Sequence, residues 1–127
     1  MLIDGLLYSK EHEWVKREGD VIVMGITDHA QEMLGDITFI ELPEPGVNMK
    51  QGDQIAVVES SKAASDVFSP VSGKITDVNQ ELEECPEFIN ESCYEKGWIC
   101  KLTLTNPEDL AGLMEARQYE AFLAQEE

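Results

Sequence analysis

Basic residues are scarce in this chain: nine Lys and Arg stand against 26 Asp and Glu, a formal net charge of −17. Such a surface repels phosphate backbones and excludes a nucleic-acid partner. Histidine is limited to His12 and His29, far apart in sequence, without an H-x-x-x-H pattern or a nearby Cys, so a metal centre has no support. Cysteine is limited to Cys85, Cys93 and Cys100, an odd number with no C-x-x-C spacing. That pattern reads as free thiols in a reducing compartment, not as a zinc site or redox pair. No apolar run approaches the roughly 20 residues of a membrane helix. The opening Met1-Leu2-Ile3-Asp4-Gly5 has neither the basic region and long apolar stretch of a signal peptide nor an Arg-rich transit pattern. G-x-S-x-G and S-x-x-K nucleophile signatures are missing, so Ser60 and Ser61 beside Lys62 do not make a nucleophilic dyad.

What is there reads as one domain over residues 1–127, built mostly from short strands between turn signals. Residues 13–17 and 21–26 flank Glu18-Gly19-Asp20 and predict a hairpin. Thr27 is placed as the N-cap of a short helix, with Asp28 in its first turn and Gly35 ending it. Further strands are expected over 37–42, 55–59, 67–71, 74–79 and 97–104, punctuated by Pro43-Glu44-Pro45-Gly46, Gln51-Gly52-Asp53 and Ser72-Gly73. The recurrence of a Gly-Asp turn, an apolar strand and a Gly turn hints at an internally repeated sheet. The stretch 80–96 is polar and irregular, with Pro86 opening a short helical turn. Asn106 and Pro107 open a C-terminal helix whose apolar face is expected to hold Leu110, Leu113, Met114, Arg117 and Phe122. Trp14 and Trp98, in β-rich runs, are read as packing residues.

The informative segment is Glu59-Ser60-Ser61-Lys62-Ala63-Ala64-Ser65-Asp66. A single lysine sits among small residues, midway between two β-like runs, where a hairpin tip would hold it clear of the protein body. That arrangement suits a modifying enzyme that must reach the ε-nitrogen. A bare exposed ammonium is by contrast a poor nucleophile.

This segment resembles the lipoylation motif of the glycine cleavage H-protein family. Tyr8-Ser9-Lys10-Glu11-His12-Glu13-Trp14-Val15 resembles that family's opening strand, and Gly25-Ile26-Thr27-Asp28-His29-Ala30-Gln31 with Leu34-Gly35-Asp36 its first helix. Glu41-Leu42-Pro43-Glu44, Ser69-Pro70-Val71-Ser72-Gly73, Val78-Asn79 and Gly97-Trp98 follow in the same order. The flanking Ser61 and Ala63 differ from the Met residues of biotinyl domains, and Ser61 from the Asp that precedes the lysine in lipoyl domains of 2-oxoacid dehydrogenases. Two departures stand out: Ser61 where the family usually has Val, and Cys93 where it usually has Pro before Tyr94.

The resemblance implies a mainly β fold, a lipoyl/biotinyl-type barrel-sandwich hybrid of two small sheets with short helices and a C-terminal helix. It implies a carrier and not an enzyme, with lipoate attached covalently to Lys62. The implied role lies in glycine catabolism and one-carbon metabolism: shuttling the aminomethyl group of glycine among a pyridoxal-phosphate glycine decarboxylase, a folate-dependent aminomethyltransferase and a flavin dihydrolipoyl dehydrogenase. A lipoate-attaching enzyme is the fourth expected partner. Glu59 and Asp66 bracket the lysine and are candidates for recognition by that enzyme. Glu13 and Asp66 are candidates for lining a cleft where the loaded arm rests. A monomer is expected, in the cytoplasm of a bacterium or, for a processed eukaryotic form, in the mitochondrial matrix. The alternative is an H-like protein that relays lipoyl groups to other proteins or serves a lipoyl-dependent redox system.

Overall fold

A computed structural model describes residues 3 and 5–126, with Glu126 described only as part of its helix. The reading of the extreme N-terminus falls mostly outside them.

The chain opens with β1 (Leu7–Tyr8), β2 (Glu13–Glu18) and β3 (Val21–Ile26). The expected hairpin forms, and Gly19 takes the left-handed φ of 67° that the tight turn requires. Opposite Trp14 stands Gly25, and a Cβ there would lie 2.8 Å from the indole Nε1. The glycine is the space into which the ring folds.

Helix α1 (Asp28–Leu34) begins and ends where the residue chemistry predicts. Thr27 is extended and its hydroxyl accepts from the Ala30 N–H, while Gly35 closes the helix at φ 81°, ψ −152°, a region open essentially to glycine. Then come β4 (Ile37–Glu41), β5 (Asn48–Met49), β6 (Gln54–Ser60), β7 (Ala64–Phe68) and β8 (Gly73–Val78). Strand β7 starts earlier than the 67–71 expected and stops before Pro70, because the turn after β6 takes only three residues. The polar stretch holds two single-turn helices, α2 (Glu81–Glu84) and α3 (Phe88–Glu91), before β9 (Cys100–Leu104).

The C-terminal region departs from the continuous helix expected. Pro107–Gly112 is a 3₁₀ helix, Met114–Glu115 forms β10, and only Ala116–Glu126 is α-helical, as α4. Strand β10 pairs with β1, which pulls the chain out of helix just where the apolar periodicity seemed continuous. Leu110, Leu113 and Met114 therefore precede α4.

The strands make two sheets. One has seven strands in the order β10-β1-β2-β3-β9-β8-β5, and the other three, β4-β6-β7. One core cluster joins them: Met24, Ile26, Ile75 and Leu102 from the larger sheet meet Ile40, Val58 and Val67 from the smaller, with Leu82 and Ile89 from α2 and α3. Burial of such side chains contributes about 1.5–3 kcal/mol each. A second cluster, around Tyr8, Trp14 and Tyr119, holds α4 to the sheet.

Candidate functional site

The β6–β7 hairpin carries Lys62 at its tip. Ser60 templates the turn: its backbone N–H donates to the Ala63 carbonyl at 2.8 Å, and its hydroxyl oxygen accepts from the Lys62 and Ala63 N–H groups at 3.1 Å each. A Ser hydroxyl substitutes here for a backbone acceptor in a tight turn. Ser61, Lys62, Ala63 and Ala64 are all exposed.

The tip leans on the segment that leaves α1. The Ser61 N–H donates to the Asp36 carbonyl at 3.3 Å, and the Lys62 side chain passes over Gly35. Asn90 of α3 holds this segment from behind. Its amide donates to the Gly35 carbonyl at 2.9 Å and to Gln31 Oε1 at 2.8 Å, and its carbonyl oxygen accepts from the Ile37 N–H at 2.8 Å. The lysine's platform is thus built from three sequence-distant pieces.

The outer face of the small sheet follows from its register. Phe39, Glu59 and Ala64 form one cross-strand row, and Glu41, Val57 and Asp66 the next. Glu59 and Asp66 therefore share a face, both exposed, beside Lys62.

Glu13 lies in a different environment. It is buried at the junction of the two sheets, where the Ser9 hydroxyl donates to its Oε1 and the Phe68 N–H to its Oε2 at 3.2 Å. Burial pushes its carboxyl up to about 7, against the opposing pull of those two donors. Phe68 ends β7, five residues along the strand that starts beside Lys62. At about 3.3 Å per residue, β7 runs roughly 13 Å from Ala64 to Phe68.

The remaining candidates take packing roles. Trp14 is buried, with its indole N–H on the Cys93 carbonyl at 2.9 Å. Trp98 is half-buried, with the Lys101 ammonium 5.4 Å over its ring. The two histidines, distant in sequence, meet with ring centroids 4.8 Å apart. His12 Nδ1 lies 2.7 Å from the Tyr119 hydroxyl, which is 2.9 Å from Thr27 Oγ1. Among the described residues no three His, Cys, Asp or Glu side chains converge as metal ligands. No helix among them is long and apolar enough to cross a membrane. All three cysteines are unpaired. Burial pushes the Cys93 and Cys100 thiols up to about 12. Cys85 is raised by burial and then by the carboxylates of Glu87 and Glu84.

Sequence reasoning missed Ser60 as the turn's template, Gly35 as the surface under Lys62, and Asn90 as its brace. The signal for Gly35 was present in its helix-ending position. Asn90 had none, since its partners lie more than 50 residues away.

The sequence profile of the family described as Glycine cleavage H-protein matches residues 6–126. A glycine cleavage system H protein of Alkaliphilus oremlandii is 53% identical over 124 residues, 98% of this chain and 97% of that one. The mitochondrial H protein of Pisum sativum is 49% identical over 126 residues, 99% of this chain and 76% of that one. The crystal structure of a glycine cleavage system H protein from Mycobacterium marinum superposes with a TM-score of 0.89 at 32% identity, covering 97% of this chain and 99% of that one.

Proposed function

The chain belongs to the glycine cleavage H-protein family and is a non-catalytic lipoyl carrier of the glycine cleavage system; from that premise we propose that Lys62 is the residue that bears the lipoyl group. The observation that carries this reading is the position of Lys62, exposed at the tip of a tight hairpin with only small residues beside it. The residues present fit such a group: the ε-nitrogen is open to an acylating enzyme, and Gly35 leaves room beneath the stem. Acylation converts the ammonium into a neutral amide, which removes the strong preference of the tip for water.

When bound, the lipoyl group supplies a disulfide that is reduced as it takes up the aminomethyl cargo. Residues 1–127 act as one carrier unit that presents this group in turn to a decarboxylase, an aminomethyltransferase and a dihydrolipoyl dehydrogenase. Tethering makes each transfer effectively intramolecular once a partner has docked. Relatives come from bacteria and from plant mitochondria, so the working compartment follows the source: cytoplasm or mitochondrial matrix.

Between transfers the loaded arm rests along β7. The lysine and lipoate together reach roughly 14 Å, by covalent bond lengths. That is comparable with the roughly 13 Å that β7 runs from Ala64 to Phe68, whose N–H donates to Glu13. A cationic amino group arriving at Glu13 would stabilise the ionised carboxylate, a charge-assisted contact of about 1.5–3 kcal/mol. Asp66, exposed on the sheet's outer face, serves the same arm nearer its root, and with Glu59 helps the attaching enzyme select this lysine.

The test is intact-mass and peptide mapping after incubation with lipoate, ATP and a lipoate–protein ligase. A single lipoyl amide at Lys62, abolished in Lys62→Arg, is expected. Modification persisting in that variant would overturn the assignment. For the resting place, Glu13→Ala should shorten the lifetime of the loaded arm, and equal decay in variant and parent would remove Glu13 from that role.

A further inference from the structure

Strand β4 contains an irregularity with a clear effect on its side chains. Ile37 pairs with Ser60, but the next partner of β6, Glu59, pairs with Phe39, so Thr38 is an extra residue. Strict alternation would turn Ile37 and Phe39 to the same side. The bulge instead keeps Ile37 and Ile40 buried and turns Phe39 outward, half exposed at 51%. Bulges serve to re-aim a side chain, and this one puts a phenyl ring into solvent at the cost of a ladder position.

Phe39 emerges directly opposite Glu59, in the last row that spans all three strands before the Lys62 tip. Two residues before Gly35, over which Lys62 passes, the last turn of α1 exposes Met33 at 66%. These two residues head the exposed large hydrophobics of the described chain. Around them stand Glu32, Asp36, Glu59 and Asp66, all exposed. An apolar centre with a charged rim is the anatomy of a docking surface, and Phe and Met are enriched in such centres.

We infer that Phe39 and Met33 form the apolar anchor of a docking face around Lys62, and that its occupant is the lipoate-attaching enzyme, which meets it with an apolar pocket rimmed by basic side chains. The inference rests on Lys62 being the attachment site. Two arguments select this occupant. It must place its active site on the Lys62 ε-nitrogen, so its surface covers the ground on which Phe39 and Met33 stand. Apart from Lys62 itself, the charged groups flanking Phe39, Met33 and the tip are the carboxylates Glu32, Asp36, Glu59 and Asp66, so the complementary surface is cationic. The bulge thus supplies the carrier with a contact made at every modification event.

Lipoylation kinetics of the apo chain test this, using a purified lipoate–protein ligase with lipoate and ATP. Phe39→Ser combined with Met33→Gln should raise KM for the carrier about tenfold and leave kcat within about twofold. Phe39→Trp should restore most of the affinity. Val47→Ser, at the third exposed hydrophobic position beyond the far end of β4, should match the parent. Parent KM should rise several-fold as salt screens the rim. Thermal melting of each variant verifies folding, and Met33→Gln alone, on an exposed helix surface, gives a second reading. A double-variant KM within twofold of the parent, with modification confined to Lys62, would overturn the docking face alone. A salt-independent KM would overturn the basic rim. Modification elsewhere in Lys62→Arg would overturn the attachment site and the docking face together.

Discussion

A methyl group on Gly35 would stand 3.3 Å from Lys62 Cε and 3.6 Å from its Nζ. The helix terminator and the lysine of the hairpin tip are therefore one structural unit. Gly35→Ala should destabilise the chain by about 1–3 kcal/mol, since φ 81° with ψ −152° is closed to alanine. It should also slow lipoylation by displacing the tip. Melting of Gly35→Ala in a Lys62→Ala background separates the two effects: the backbone strain persists there, and the steric contact does not.

Asn90 should matter to modification although it lies on α3 and never touches the lysine. Asn90→Ala removes the partners of the Gly35 carbonyl, the Ile37 N–H and the Gln31 side chain. A loss of about 1–3 kcal/mol is expected, together with faster hydrogen exchange over residues 35–37. Asn90→Asp keeps the acceptor for Ile37 but sets a carboxylate oxygen against the Gly35 carbonyl, so its loss should be at least that of Asn90→Ala.

Glu13 gives the protein a pH signature. Its folded carboxyl titrates at about 7 against an ordinary value of 4.5, so the folded state holds its proton more tightly than the unfolded state. That stabilisation is complete below pH 4.5 and is lost as pH rises through 7, on the order of 3 kcal/mol in all. Glu13→Gln cannot ionise, so the difference in stability between parent and variant should change over that window and be flat outside it. Urea denaturation between pH 4 and 8 measures it.

Tyr119 fastens α4 to the start of α1. Its fully buried hydroxyl lies 2.7 Å from His12 Nδ1 and 2.9 Å from Thr27 Oγ1, and its ring stacks on Tyr8 at 4.8 Å. Tyr119→Phe keeps the stack and removes the hydroxyl, which should cost about 1–3 kcal/mol. Amide exchange in α4 should accelerate more than exchange in β6, because only the former depends on this fastening.

The sequence makes the local features legible. Thr27 and Gly35 delimit α1 because capping chemistry acts within four residues of the helix end. Gly19-Asp20 and Gly52-Asp53 punctuate the strands for the same local reason. Lys62 at a tip was readable from small residues between two apolar runs. Apart from Ser60, whose turn is local, the features that escaped depend on long-range pairing. Strand β10 exists because β1 is there to receive it, and Met114 alone cannot announce that. The bulge at Thr38 is set by the register against β6, so the outward turn of Phe39 is not legible until its partner strand is known. Glu13 was placed by resemblance at a cleft, but its full burial is not legible because its contact with β7 lies 55 residues away.

The cysteines acquire a meaning from their burial. Thiol–disulfide exchange needs a thiolate, and Cys93 and Cys100 titrate at about 12 inside the core, with Cys85 also raised. At neutral pH the carrier therefore offers its own oxidised arm almost no internal nucleophile. The arm's disulfide is insulated from self-reduction and from a dead-end mixed disulfide with the protein that carries it. Raised thiol pKa values thus leave reduction of those sulfurs to agents other than the chain's own cysteines.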